Sequence, residues 1–149
     1  MTKKFDERQN FIRGKVFYHM YIITAILLLL NAFLNSSDIV WADGFYSSII
    51  ILMTATAIGS VEAIVRDAYF VKPMGIWISV VMTLCGIMLI ISSLMLIFRG
   101  GRSLLLDGQL THEGFSLIMS VLILIIGGSG IIKLISENLN KNERITEKE

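Results

Sequence analysis

Four stretches of the 149-residue chain contain no Asp, Glu, Lys or Arg. They are Val16–Ser37, Gly44–Val61, Pro73–Phe98 and Gly114–Ile132, of 22, 18, 26 and 19 residues. A helix needs about 20 apolar residues to cross a hydrocarbon core of about 30 Å. A soluble fold of this length has a single core, which cannot bury four such stretches. The pattern therefore predicts an integral membrane protein with four spans.

The predicted fold class is all-α, an integral membrane four-helix bundle made of two antiparallel transmembrane hairpins. The first apolar stretch is too long for the core of a signal peptide and has no cleavage motif after it, so we expect it to stay as the first span. The expected segments are a cytoplasmic N-terminal segment at 1–15, transmembrane helices at 16–37, 45–63, 74–98 and 114–133, an external loop at 99–113 and a cytoplasmic tail at 134–149.

Basic residues are distributed unevenly among the short segments that connect the spans. With the N-terminus in the cytoplasm, eleven Lys and Arg residues lie inside and two, Arg99 and Arg102, lie outside. Cytoplasmic segments of membrane proteins carry the excess of basic residues when the loops are short. The count predicts that both termini are cytoplasmic. The eleven residues are Lys3, Lys4, Arg8, Arg13, Lys15, Arg66, Lys72, Lys133, Lys141, Arg144 and Lys148.

Small residues recur at every fourth position of the second and third spans. In lipid, such stripes let two helix backbones approach closely. The connection between these spans is short, so we predict that they pair antiparallel along the stripes and form the tightest helix contact of the protein. The predicted packing residues are Ala55, Gly59 and Ala63 on the second span and Gly75, Ser79 and Thr83 on the third.

The fourth span contains a Gly-Gly-Ser-Gly segment, residues 127–130, close to its cytoplasmic end. Such a segment is typical of a close helix crossing, a kink or a break that lines a substrate site. The sequence leaves these three interpretations open.

Ionisable groups in the interior of a span indicate transport or catalysis, because they are costly in lipid. None of the four uncharged stretches contains an acidic or basic residue, and Glu62 comes closest, at the inner end of the second span. Arg66 lies one helical turn further on, in the favourable order for an ion pair, and Asp67 follows it. We interpret Glu62, Arg66 and Asp67 as a structural cap on the cytoplasmic hairpin. Partner binding and gating are the alternatives.

No cofactor or metal is expected from the sequence. His19 is predicted near the cytoplasmic side and His112 in the external loop, so the two cannot ligate one haem in one chain. Asp107, His112 and Glu113 do not follow a known metal-ligand spacing. The single Cys85 excludes a C-x-x-C redox pair, and no basic surface typical of nucleic-acid binding is present.

Several short motifs resemble one group of proteins. Asp6–Gln9 is followed by Arg13–Lys15 at the start of the first span, and Trp41-Ala42 and Asp67–Tyr69 occur in the next two connections. These motifs resemble those of small uncharacterised four-span membrane proteins of Gram-positive bacteria, over roughly the first 70 residues. The resemblance implies a bacterial plasma membrane location and no particular catalytic activity.

Two functions fit these observations. The first is a non-enzymatic, multi-pass accessory or regulatory protein, which acts through helix contacts and charged cytoplasmic segments. Its expected partners are the lipid bilayer and either a second copy or another membrane protein. The alternative is a small oligomeric transporter or channel. Small multidrug exporters have this size, but they carry an essential Glu inside the first span, where this chain has Thr24 and Asn31. A membrane enzyme is the least favoured class.

Overall fold

The computed structural model describes residues 7–68 and 74–146, with side chains described for 7–68 and 76–139. Asp6 and Tyr69 of the resemblance motifs lie outside these residues. The described part of the chain is all-α apart from one small hairpin, and each of its four helices is long and apolar enough to cross a membrane. The elements are α1 Glu7–Ser36, α2 Gly44–Val65, α3 Met74–Gly100, β1 Leu105–Leu106, β2 Gln109–Leu110 and α4 His112–Thr146.

Two of the helices extend well beyond the uncharged stretches. α1 begins at Glu7, so the predicted N-terminal segment is mostly helical, and α4 continues to Thr146. Charged residues end a membrane span because they are costly in lipid, but most of them are good helix formers in water. The helices therefore continue where the apolar stretches stop. α4 is unbroken through residues 127–130, so the interpretation of this segment as a helix break is wrong.

α1 and α2 end in the same backbone motif. The second residue after each helix, Asp38 and Asp67 respectively, has a φ of 58°, in the left-handed region. At the end of α2 the N–H of Ala68 donates to the carbonyl of Ala63 at 2.8 Å, which is the long-range bond of a Schellman motif. Glycine usually occupies the left-handed position, and aspartate is one of the few other residues that tolerate it. The motif stops both helices without a glycine.

Local side-chain and backbone contacts also fix the start of α2 and the connection between α3 and α4. The Asp43 carboxylate accepts the N–H of Phe45 at 2.8 Å and so caps the start of α2. Asp107 and Gly108 have φ values of 50° and 81°, which form a type I′ turn between β1 and β2. This tight hairpin places α3 and α4 side by side.

The described helices pack in the order α1, α2, α4, α3. α1 and α2 run antiparallel, with Met20 beside Gly59. α3 and α4 also run antiparallel, since the hydroxyls of Ser93 and Ser116 lie 3.1 Å apart and Thr83 lies beside Gly127. α2 and α4 run in the same direction. Each antiparallel hairpin is therefore made of consecutive helices, and α2 packing against α4 joins the two hairpins.

The predicted pairing of α2 with α3 is wrong. Among the described residues, the extensive packing of α3 is on α4, and α2 packs mainly on α1 and α4. The small-residue stripes do lie at helix contacts, but with other partners: Gly59 faces α1, and Thr83 faces Gly127 of α4. The physical reason is that α4 offers its own small residues to α3, so α3 obtains its close contact within its own hairpin.

The burial of the other stripe residues agrees with these contacts. Ala55, Ala63 and Ser79 are each at most 5% exposed. The side-chain environment around Gly75 lies outside the described residues, although its backbone belongs to α3.

Candidate functional site

We call the end at which α1 begins and α2 and α4 end the terminal end, and the opposite end the hairpin end. A cluster of polar side chains at the terminal end joins three helices. Its members are Gln9 and His19 of α1, Glu62 of α2, Arg66 and Asp67 just after α2, and Lys133 of α4.

Glu62 lies at the centre of the cluster. The Nδ1 atom of His19 lies 3.0 Å from Oε1 and 2.9 Å from Oε2 of Glu62. Nη2 of Arg66 lies 3.0 Å from Oε1 of the same carboxylate. Arg66 follows Glu62 by four residues, which places both side chains on one face of the chain. His19 reaches the carboxylate from α1 because α1 and α2 run antiparallel. One carboxylate therefore binds groups from two directions.

Asp67 connects the end of α2 to the other two helices. Its backbone carbonyl accepts a hydrogen bond from Nε2 of Gln9 at 3.1 Å, which joins it to α1. Its carboxylate Oδ2 lies 3.4 Å from Nζ of Lys133 on α4, and the same Nζ donates to the carbonyl of Val65 at 3.2 Å. The last carbonyls of a helix carry partial negative charge, so Lys133 is favourably placed there.

The ion pairs and hydrogen bonds of this cluster link the helices to one another. Glu62 and Asp67 each have a cationic or imidazole partner on a neighbouring turn or helix, which stabilises the charge of the carboxylate. Among the described residues, no group of three or more His, Cys, Asp or Glu side chains is arranged to hold a metal ion. The lone Cys85 is exposed on α3, away from this cluster.

A second polar network lies at the hairpin end. Nε1 of Trp41 donates to Oδ1 of Asn31 at 2.8 Å, and the N–H of Leu110 donates to the carbonyl of Trp41 at 2.8 Å. The ring of Tyr46 stacks on Phe115 with 4.6 Å between ring centroids. The connection between α1 and α2 is thereby attached to the β-hairpin. Asn31 therefore binds a residue of the connection between α1 and α2.

The three residues between α3 and the first turn of α4 that were weighed as metal ligands have separate contacts. Asp107 forms the turn of the β-hairpin, Nδ1 of His112 lies 3.3 Å from the hydroxyl of Tyr46, and Glu113 binds Arg102 at 2.5 Å. The loop is therefore organised by contacts within the protein.

The structure brings together all three residues that the sequence singled out for the terminal end. Glu62 binds Arg66 directly, and Asp67 lies at the end of the same helix. The sequence reasoning missed Gln9, His19 and Lys133 as members of the cluster. One signal for His19 was present, because His19 and Glu62 both lie close to the same predicted membrane boundary.

Comparison with known proteins adds no identification: no family model, curated protein or solved structure matches the chain.

Proposed function

We propose that the chain is a non-enzymatic accessory or regulatory protein of the membrane, which acts through helix contacts and through its charged terminal end. The observation that carries the proposal is the exposure of the two outer helices. Tyr21 and Leu29 of α1 are each 72% exposed, and Trp77 and Phe98 of α3 are 73% and 82% exposed. These apolar faces are available to lipid and to the helices of another membrane protein.

The polar cluster supports the same proposal. The carboxylates of Glu62 and Asp67 bind groups of the protein itself, and this arrangement is typical of a structural support for a binding surface. The long extension of α4 beyond Lys133 belongs to the same end. We propose that this extension and the start of α1 form a surface for a regulatory partner.

A crosslinking experiment tests the proposal. A photoreactive amino acid at Trp77, on the exposed face of α3, should give a discrete adduct with another membrane protein in cells. The same amino acid at Ser79, which is 2% exposed, is the matched control and should give none. Adducts with lipid alone at several exposed positions of α1 and α3 would contradict the proposal.

The cellular orientation is a further part of the proposal. We propose that both termini are cytoplasmic and that the membrane is the plasma membrane of a bacterium. Support comes from the positive-inside count and from the resemblance carried by residues 6–9 and 13–15. Single cysteines on a Cys85→Ser background provide the test. A cysteine at Val40, an exposed residue between α1 and α2, should react with a reagent added outside the cell. Reaction only after the cytoplasm is opened would contradict the orientation.

A small oligomeric transporter is the second candidate, and one observation favours it. His19 and Glu62 both belong to helices that can cross the membrane, and ionisable groups in such helices indicate a functional site. Proteoliposomes that contain the purified chain would show substrate-dependent flux, and Glu62→Gln would abolish it. Absence of flux with a broad panel of cations and drugs would favour the accessory function.

A further inference from the structure

A groove of about 240 Å³ lies between α1 and α2 in the half of the molecule near the terminal end. Its α1 wall includes Arg13, Phe17 and Met20, and its α2 wall includes Thr56 and Ala63. The walls are mostly apolar, and Arg13 is the charged residue among those that line the groove. An engineered protein cavity of about 150 Å³ holds a benzene molecule, so this groove has room for a longer hydrocarbon segment.

The groove lies within the depth of one leaflet of a bilayer. The uncharged stretch of α1 starts at Val16, three residues after Arg13, so Arg13 lies about 4.5 Å beyond it along the helix axis. This distance places the guanidinium in the headgroup layer, which is several ångströms thick. From Val16 to Met20 the wall extends about 6 Å into the hydrocarbon, which is about 15 Å thick in one leaflet.

The positive charge of Arg13 at the mouth of the groove favours anionic lipids over neutral ones. Arginine binds phosphate oxygens through paired, charge-assisted hydrogen bonds, and basic pockets between transmembrane helices bind anionic lipid headgroups. Lys15 on the same helix adds positive charge near this depth, whereas Arg8 lies about 12 Å beyond the uncharged stretch and next to Glu7. A cation above an apolar slot is complementary to a phosphate above an acyl chain.

A second groove in the same helix pair provides an internal comparison. It has a volume of about 270 Å³, lies nearer the hairpin end and is lined by residues such as Leu27, Trp41 and Thr54. Its lining contains no charged side chain. The two grooves have similar sizes and differ in the cation, so the cation should decide which one retains an anionic lipid.

We propose that the groove near the terminal end binds one anionic phospholipid of the surrounding bilayer. The lipid phosphate binds the guanidinium of Arg13, and one acyl chain lies between α1 and α2 against Phe17, Met20 and Thr56.

Native mass spectrometry of the full chain released from detergent micelles tests this binding. The probes are phosphatidylglycerol and phosphatidylcholine with the same acyl chains. The wild-type chain should retain phosphatidylglycerol preferentially. Arg13→Gln should lower that retention about fivefold, the effect of one basic residue near an anionic lipid, and Arg13→Lys should restore part of it. Glycerol 3-phosphate, which lacks acyl chains, should not displace the lipid.

Two matched variants separate the groove from the general charge of the surface. Lys15→Gln removes the same charge from α1, but the Lys15 Nζ lies 4.7 Å from the centre of the Phe11 ring and does not line the groove. Retention should therefore stay near the wild-type value. Thr56→Phe fills the groove and should lower retention of both lipids, whereas Thr54→Phe in the second groove should not. Elution volume and circular dichroism identify folded variants.

Several outcomes would overturn the proposal. Equal losses for Arg13→Gln and Lys15→Gln would show that diffuse surface charge holds the lipid. Equal retention of the two lipids by the wild-type chain would remove the role of the cation. Displacement by glycerol 3-phosphate would show a site for free phosphate.

Discussion

The replacement of Gly127 by alanine gives the sharpest test of the helix packing. A Cβ atom at this position would lie 2.5 Å from the backbone N of Thr83, 2.6 Å from its Oγ1 and 3.0 Å from the carbonyl carbon of Met82. Two of these three atoms belong to the backbone of α3, which cannot move aside as a flexible side chain can. Gly128, the next residue, has no such neighbour within 4 Å. The two glycines therefore form a matched pair.

The expected magnitude comes from two opposing effects. Alanine is favoured over glycine inside a helix by about 1 kcal/mol, and this gain applies equally to Gly127→Ala and Gly128→Ala. Insertion of one methyl group into a closely packed contact costs about 1–3 kcal/mol, and this cost applies to Gly127→Ala alone. The free energy of unfolding of Gly127→Ala should therefore be about 1–3 kcal/mol lower than that of Gly128→Ala, because the helix-propensity terms cancel in the difference.

The assay is reversible unfolding in mixed micelles with increasing mole fraction of dodecyl sulfate, followed by helical circular dichroism and by tryptophan fluorescence. Trp77 lies on α3, so its emission reports on the helix that should separate from α4. The Gly128→Ala variant should be as stable as the wild type or slightly more stable. Equal stabilities of the two alanine variants would refute the close contact between α4 and α3.

Three further predictions concern the two polar networks. Glu62→Gln should lower the free energy of unfolding by about 1–2 kcal/mol in the same assay. The Glu62 side chain is only 18% exposed, and the variant weakens its bonds to His19 and Arg66. An unchanged stability would contradict the bridging role of Glu62. Asp67→Gly should have nearly the wild-type free energy of unfolding, because glycine adopts the positive φ without strain and this gain offsets the loss of the exposed ion pair with Lys133. Asp67→Ala should be about 1 kcal/mol less stable than Asp67→Gly, because alanine does not tolerate the positive φ. Trp41→Phe and Asn31→Ala should each cost about 1 kcal/mol with non-additive effects in the double variant, and additive effects would show that the two side chains are not bonded.

The sequence predicted the number and location of the helices better than their first and last residues. The four uncharged stretches correspond to the four helices, because hydrocarbon excludes charged groups and requires every backbone polar group to bond within the segment. The helix ends differ from the ends of the uncharged stretches because charged residues are costly in lipid but are compatible with a helix in water. α1 begins at Glu7 and α4 ends at Thr146, both in charged sequence that the apolar pattern assigned to segments outside the membrane.

The candidate site was predicted only within one helix. The pair of Glu62 and Arg66 depends on a spacing of four residues, and a periodic spacing can be read from the sequence alone. The partners His19 and Lys133 are 43 and 66 residues away from the carboxylates that they bind. Their contacts depend on which helices are neighbours, and a single sequence does not contain this information.

The stripes of small residues show the same division between sequence and structure. Their spacing identifies which face of α2 and which face of α3 approaches another backbone, and both stripes do lie at contacts. The partner is a property of the assembled protein. Gly59 meets α1, while Thr83 of the α3 stripe meets Gly127 of α4.

The sequence by itself determined that the chain has four membrane-compatible helices, where their apolar parts lie and which residues can form local pairs and turns. These properties follow from short-range physics: the cost of charge in lipid, the period of a helix and the conformations open to aspartate and glycine. Only the tertiary structure decided that the helices pack in the order α1, α2, α4, α3. It also decided the hydrogen bond between His19 and Glu62 and the groove beside Arg13. Several small-residue faces compete in lipid, and the closest fit between whole helices selects among them.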